Sequence, residues 1–534
     1  MGFLNRTRRK TPQAEPHLNW MGGPSFTLND PLAQLRMAAS SCFFGEPMYY
    51  HVDAKDNRPV RHVHRAQLTG PQRAHLRSTL TALDPADWRG LSPAALMERA
   101  IDKALDADPE ATLAEAVRLR SEEHVRTTPQ VILVRAARHP SVRGTGLIRR
   151  FAGGVIQRAD EPAVGLAYHL ATFGRPVPNA LKRAWRDALE RFDDYQLAKY
   201  RLTARQVKTV DVVNLVHPRG GTVDRLVRGE LTLDGRTWES LVSAQGSSRA
   251  AWTEALPRMG HMALLRNLRN LLKAGVPTDA YLDQLEGGVA KGRQLPFRYY
   301  SAWSAVHTAR SLGDAGERQR VLATLERCLA ASVGNLPWFG GRVMSLCDNS
   351  GSAQGTATSA MGTMKISTIA NLTAILAAQR AEHGRVGVFG DQLSTFAVSR
   401  MDSVFRQLQQ AEHIARDIGM GTENGIWLFW EKAIRERQHW DTVFVFSDMQ
   451  AGHGGLFGLA PSSYRDFIWG GSGRHIDVPK LIQRYREQVN PDVDVFLVQV
   501  AGYQDTIVPE FYDRTYILGG WGPGLFRFAG AMRR

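Results

Sequence analysis

The run Arg342-Val-Met-Ser-Leu-Cys347-Asp348-Asn349-Ser350-Gly351-Ser352 is where this sequence first offers chemistry. Apolar, strand-forming residues end in a carboxylate, and a short turn then presents two hydroxyls at alternate positions. A hard divalent cation such as Mg²⁺ takes oxygen ligands near octahedral positions, keeps several waters, and leaves room for an outside carboxylate or phosphate. Asp348, Ser350 and Ser352 can supply part of such a cage, directly or through water. A polar turn after a buried strand would read the same, so the pentapeptide alone is a weak signal.

The elements that must position these groups lie downstream. Residues 364–378 read as a helix with a broad apolar face. Strand-like 386–389 and 394–398 follow, then helix-like 403–416. Thr422 sits in Gly419-Met-Gly-Thr-Glu-Asn-Gly425, just ahead of a helix expected over 426–437. A strand over 442–446 ends in Ser447-Asp448, and a helix over 478–489 and a strand over 495–500 continue the alternation. Alternating β and α segments of this length predict a parallel sheet with helices on both faces and ligands at the carboxyl ends of the strands. Asp348, Ser350, Ser352, Thr422 and Asp448 all fall on that edge. Five oxygen side chains from three loops are a far more specific signal than one pentapeptide.

The pattern resembles the metal-ion-dependent adhesion site of von Willebrand factor A domains. There an Asp-x-Ser-x-Ser turn, a Thr and a second Asp hold Mg²⁺ directly or through water. The resemblance implies Mg²⁺, or another divalent cation, at Asp348, Ser350, Ser352, Thr422 and Asp448, with no position of the pattern missing.

At 534 residues the chain is too long for one ordinary domain. With 43% hydrophobic and 22% charged residues it reads as globular. No apolar run reaches the roughly 18–20 residues of a membrane span. The basic start Met1-Gly-Phe-Leu-Asn-Arg6 is followed by no apolar signal core, and Arg6 stands where myristoylation wants Ser or Thr. Cys42, Cys328 and Cys347 are few and scattered, which suits a reducing cytoplasm. A cytoplasmic protein with no membrane partner is expected.

The net charge of +15 is unevenly placed. Residues 1–340 hold 48 Lys+Arg against 33 Asp+Glu, whereas residues 341–534 hold 19 of each. A basic part beside a neutral one suggests that the former meets a polyanion. Codon bias towards arginine would have charged both parts alike.

That basic part is a succession of helical segments, over 31–43, 93–106, 111–123, 128–138, 163–172, 178–195, 206–216, 236–244, 259–274, 297–312 and 315–332. Helix pairs without a strict repeat predict an irregular α-solenoid. Lys199, Arg201 and Arg205 cluster where one segment gives way to the next, and on a helix Arg201 and Arg205 would share a face. His217 and Arg219 close the segment after that. Arg266, Arg269 and Lys273 make one cationic stripe, with Leu265, Leu268 and Leu272 beside it. Cations lining a groove neutralise phosphates in a sequence-tolerant, salt-dependent way. Each one alone is as well explained by a solvated helix face.

Several words here resemble the TROVE module of the Ro ribonucleoprotein family. They include Arg158-Ala-Asp-Glu161, Arg191-Phe-Asp-Asp-Tyr-Gln-Leu-Ala-Lys-Tyr200, Asp211-Val-Val-Asn-Leu-Val-His217, Thr237-Trp-Glu-Ser-Leu-Val-Ser-Ala244, Met259-Gly-His-Met-Ala-Leu-Leu-Arg266 and Pro296-Phe-Arg-Tyr-Tyr-Ser-Ala302. A TROVE module followed by a von Willebrand A domain is the Ro arrangement. The resemblance implies an α-solenoid of HEAT-like repeats closed into a ring, followed by an α/β von Willebrand A domain with a Rossmann-like parallel sheet. The boundaries expected are a flexible 1–25, a helical 26–338 and a von Willebrand A-like 339–534. It further implies single-stranded 3′ ends of misfolded noncoding RNAs in the ring and Y-like RNAs on the outer surface, in RNA quality control or processing. On that reading Lys199 and His217 line the RNA-binding ring, and a 3′-to-5′ exoribonuclease is a partner of bacterial relatives. The chain is expected to act as a monomer and not as an enzyme.

Other signals are weaker. His51, His62 and His64 have no carboxylate or Cys at ligand spacing. There is no Gly-Lys-Ser/Thr phosphate loop, no Gly-x-Ser-x-Gly elbow and no His-Glu-x-x-His. The Gly-rich stretch 449–475 follows Asp448 directly and is read as a cover for the metal rim or a partner contact. The alternative from another class is a Mg²⁺-dependent protein-interaction scaffold that binds no RNA. An aspartyl-phosphate enzyme is disfavoured, because Asp348 lacks the second carboxylate and no general base is evident.

Overall fold

The computed structural model of the chain describes residues 30–40, 93–201, 206–233, 237–309, 313–359, 362–419, 424–447, 478–500, 514–520 and 523–533. It also describes short strands at 16–18, 24–26, 51–52, 59–60, 454–455, 475–476 and 510–512. The first two of these pair antiparallel, as do the next two.

Helices dominate up to residue 332. They are α1 (Pro31–Ser40), α2 (Pro93–Ala107), α3 (Pro109–Ser121), α4 (Thr127–Arg138), α5 (Leu147–Val155), α6 (Glu161–Phe173) and α7 (Asn179–Leu189). Next come α8 (Asp194–Lys199), α9 (Thr209–Val216), α10 (Gly221–Arg228), α11 (Trp238–Gln245), α12 (Arg249–Ala255) and α13 (His261–Lys273). The array ends with α14 (Leu282–Gly287), α15 (Val289–Gly292), α16 (Pro296–Thr308) and α17 (Ala315–Ser332).

Short helices such as α10, α12, α14 and α15 add to those the sequence suggested, and two further differences have a clear physical cause. The helix expected over 178–195 is two helices, because Asp193 starts a new one. Its carboxylate accepts from the Gln196 N–H at 2.7 Å, and the Gln196 side chain accepts from the Asp193 N–H at 3.1 Å. This reciprocal cap satisfies donors that an uninterrupted helix would satisfy internally. Conversely, α5 forms despite Gly153-Gly154, which are poor helix formers. It crosses α3 so closely that a Cβ on Gly154 would lie 2.8 Å from Val117. Tertiary packing outweighs propensity there.

Seven strands form the sheet: β1 (Phe339–Asp348), β2 (Ala381–Phe389), β3 (Leu393–Ala397), β4 (Thr442–Ser447), β5 (Asp494–Gln499), β6 (Glu510–Tyr512) and β7 (Thr515–Gly519). Their order is β6-β7-β5-β4-β1-β2-β3. The interior pairings β2-β1, β1-β4, β4-β5 and β5-β7 are parallel, while both edges are antiparallel. The edges depart from the expected all-parallel sheet for a simple reason. Three residues separate β2 from β3, and two separate β6 from β7, too few for a crossover.

Helices α18 (Ile366–Gln379), α19 (Val404–Ile414), α20 (Asn424–Arg435), α21 (Val478–Gln488) and α22 (Pro523–Met532) accompany the strands. β4 shows how the sheet divides. Phe444 and Phe446 enter the core shared with α18 and α22, whereas Val443 and Val445 face Trp427, Trp430 and Tyr485 of α20 and α21. A strand buried on both faces needs this uninterrupted apolar run.

No break in the core accompanies the passage from helices to sheet. α13, α16 and α17 share one hydrophobic cluster with the α18 face of the sheet, and α2 to α10 hold a second cluster. α1 joins the two, with Met37 in the first and Leu35, Ala38 and Ala39 in the second. The last helix, α22, packs Phe526 against Phe444 at 6.2 Å and returns to α1. A Cβ on Gly524 would meet Ser40 O at 3.2 Å, and the Arg527 guanidinium donates to the Glu122 carbonyl. α22 thus packs back onto α1.

Candidate functional site

From β1 the sheet grows one way through β2, and from β4 it grows the other way through β5. The crevice between the carboxyl ends of β1 and β4 is therefore the topological switch point, where open α/β sheets bind ligands. Asp348 ends β1 and Ser447 ends β4. Both are buried. One Asp348 oxygen accepts from the Ser350 N–H at 2.9 Å, and the other accepts from the Ser447 hydroxyl at 2.5 Å. Hydroxyl-to-carboxylate bonds of that length are strong and charge-assisted.

The turn after Asp348 is held from beneath by an amide pair. Asn349 donates to the Asn371 side-chain oxygen at 2.7 Å, and Asn371 of α18 returns a bond at 3.0 Å. The Gln354 amide donates to the carbonyls of Asn349 and Ser350 at 2.9 and 3.1 Å. Buried amides satisfied in this way fix one conformation of the turn. A second loop reaches the same edge. Gln392, after β2, donates its N–H to the Ile418 carbonyl at 3.0 Å, and a Cβ on Gly390 would lie 2.2 Å from Gly419 O. The segment leading towards Thr422 is thereby clamped to the end of β2.

Of the five expected metal ligands, Asp348 and Ser350 are brought together here. Ser352 begins a 3-10 turn, Ser352–Gln354. Thr422 and Asp448 lie outside the described residues, as does nearly all of 449–475, and Asp448 directly follows Ser447. Carboxylate and hydroxyl oxygens are the donors a hard divalent cation prefers, so the described part of this edge fits such an ion. Among the described residues no three His, Cys, Asp or Glu side chains gather as a ligand cluster. Cys347 takes no part, since burial and then the Asp348 charge push its thiol far above the ordinary range. Sequence reasoning missed Ser447, Asn371 and Gln354, which carry no motif of their own.

The candidate cations sit on the helical array. Lys199 ends α8, and its ammonium donates to the Tyr195 hydroxyl at 3.0 Å, which raises its pKa. Tyr195 is itself 38% exposed. α8 stops at Lys199, so Arg201 lies beyond the helix. Arg201 donates instead to the Ala198 carbonyl at 3.2 Å, and Arg205 lies outside the described residues. His217 caps α9 in the left-handed region, φ 49°, and is exposed, as is Arg219.

On α13 the two stripes separate as the periodicity requires. Leu264, Leu265, Leu268, Leu271 and Leu272 are buried, while Arg266, Arg269 and Lys273 are exposed. None of these three cations has an ion-pair partner among the described residues. Other arginines of the array are paired, among them Arg118 with Glu115 at 2.5 Å, Arg120 with Glu161 at 2.8 Å and Arg327 with Glu286 at 2.9 Å. Arg298 of α16 lies close enough that the Arg266 charge, after burial, lowers its pKa. His261 belongs to the packing instead, with Nε2 2.6 Å from the Tyr299 hydroxyl. Gly288 and Gly292 make room for its ring, since a Cβ on either would lie 2.4 Å from it.

The TROVE domain matches residues 231–332, which hold α11 to α17. Telomerase protein component 1 of Mus musculus is 35% identical over 77 residues, 13% of this chain and only 3% of that protein's length. The crystal structure of the Deinococcus radiodurans RO (RSR) protein aligns with a TM-score of 0.61 at 15% identity, covering 94% of this chain and 100% of that one. The chain is Ro-like. At that identity the likeness to the Deinococcus protein is one of fold, a helical ring with a von Willebrand A domain. In the Ro-like chain Arg266, Arg269, Lys273 and Arg298 fall inside the TROVE match, whereas Lys199, Arg201, His217 and Arg219 precede it.

Proposed function

We propose that this protein binds noncoding RNA through the exposed cations of its helical array. One observation carries the reading: Arg266, Arg269 and Lys273 form an exposed stripe without carboxylate partners among the described residues, in an array that otherwise pairs many of its arginines. Unneutralised charge of one sign along a helix is the electrostatic footprint of a polyanion site. The +15 net charge, all of it within residues 1–340, supports the same conclusion.

In this reading the ring holds single-stranded 3′ ends of misfolded or structured RNAs, with Lys199, Arg201, Arg205, His217 and Arg219 at the strand. Y-like RNAs occupy the outer surface. The protein serves RNA quality control or processing beside a 3′-to-5′ exoribonuclease and performs no chemistry of its own. Asp348, Ser350, Ser352, Thr422 and Asp448 would hold a divalent cation such as Mg²⁺, which when bound supplies an open position for an outside carboxylate.

Binding of a labelled hairpin RNA with a single-stranded 3′ tail, across a salt titration, tests the reading on wild type and on Lys199→Ala with His217→Ala. Tight binding with a steep salt slope, weakened in the double variant, is expected. Absence of binding at low salt would overturn it and leave the Mg²⁺-dependent scaffold.

A further inference from the structure

Trp338 leads into β1 at the amino end of the sheet, at the opposite end of that strand from Asp348. β1 is 10 residues long, so the two ends are about 30 Å apart. The Trp338 side chain is 45% exposed. The Arg400 guanidinium lies 4.2 Å from its ring centroid and that of Arg380 lies 5.5 Å away. Backbone carbonyls anchor these two. Arg380 donates to Leu336 O at 2.9 Å, and Arg400 donates to Ala381 O at 2.8 Å and Glu382 O at 3.2 Å. Neither has a carboxylate partner among the described residues. The like charge of Arg400, after burial, pulls the Arg380 guanidinium below its ordinary range. Met401, next along the chain, is 94% exposed.

Two neighbouring guanidinium groups repel, and carbonyl oxygens do not cancel their charge. An anion between them removes that repulsion, and the planar guanidinium fork matches a phosphate. An exposed indole and guanidinium planes also offer surfaces on which unstacked bases stack. We propose that Trp338, Arg380 and Arg400 form a second contact for single-stranded nucleic acid, taking a phosphate on the guanidinium groups and stacking a neighbouring base. This rests on the RNA-binding reading above and adds a site beside the start of β1, at the opposite end of that strand from Asp348. An acidic protein segment would answer the charge but leave the aromatic plane without a use, so the base-bearing strand is favoured.

The test uses the full chain and a fluorescein-labelled uridine oligonucleotide of about 20 residues, enough to span several phosphate contacts. Trp338→Ala is expected to weaken binding about fivefold to a hundredfold, as for loss of one stacked base. Trp338→Phe should retain most of the affinity, which separates stacking from misfolding. Arg380→Gln with Arg400→Gln should flatten the log–log salt dependence by about 0.7, the slope of the one single-strand phosphate they share. If these variants bind like wild type while Lys199→Ala with His217→Ala binds weakly, this contact is refuted and the ring reading stands. If wild type binds no RNA, the ring reading falls first and takes this one with it. Polyglutamate captured by wild type and lost in these variants, with RNA binding unchanged, would assign the surface to an acidic protein segment instead.

Discussion

The Ser447 hydroxyl donates to the Asp348 carboxylate across 99 residues of sequence, at 2.5 Å. That bond ties together the carboxyl ends of β4 and β1, the two strands that flank the switch point. It holds one carboxylate oxygen in place beside the turn that carries Ser350.

Ser447→Ala should therefore cost about 1–3 kcal/mol of stability, since a buried carboxylate oxygen loses a donor. Thermal unfolding reads this directly. Adding MgCl₂ should raise the Tm of wild type and leave that of Asp348→Asn unmoved, because a ligand that binds only the folded state stabilises by mass action. Equal shifts in both proteins would remove Asp348 from any cation site.

Gly390→Ala is expected to disturb the same edge from the other side. Its Cβ would sit 2.2 Å from Gly419 O, a backbone atom with no side-chain torsion to relieve it. The clamp on the segment leading to Thr422 must shift, and stability should fall by about 1–3 kcal/mol, the ordinary range for overpacking. Mg²⁺ stabilisation should fall with it. Full retention of both would mean that the clamp does not position the loop.

Replacing Arg266, Arg269 and Lys273 together by Gln should lower the salt slope of RNA binding by about 2, from roughly 0.7 per single-strand phosphate contact. Their side chains are exposed, so unfolding temperature should scarcely move. A changed Tm with an unchanged slope would return these residues to an ordinary solvated face.

Acid should destabilise the array through His169. Burial, and then the Arg138 charge, hold this imidazole down at about 4. An unfolded histidine titrates near 6.5, so the unfolded chain binds the proton first as pH falls. The stabilisation is whole above about 6.5 and is lost progressively as pH falls towards 4, amounting to about 2–3 kcal/mol. Denaturant unfolding of wild type and His169→Leu between pH 7 and 4 measures it, and the variant should show the flatter profile. Parallel profiles would assign the acid sensitivity elsewhere.

Much of this architecture is legible in the sequence. Alternating apolar runs placed the parallel strands of the sheet interior, because a strand buried on both faces must be apolar throughout. The Asp348-x-Ser350-x-Ser352 turn fell at the carboxyl end of β1, and the Leu and Arg stripes of α13 separated into a buried and an exposed face as a 3.6-residue period demands. Local chemistry was enough for each of these.

What the sequence withheld depends on contacts between distant segments. The Asn349–Asn371 pair and the Ser447–Asp348 bond join residues with no motif between them. α5 is a helix because α3 accepts its glycines at close range, and Arg201 leaves the helical face because the backbone turns out of the helix at Tyr200. Trp338 reads as a junction residue until Arg380 and Arg400 arrive beside it from later in the chain. Periodicity reports which side of an element is apolar. Only the packing of one element on another decides which polar groups meet there, which charges are cancelled, and which are left for a partner.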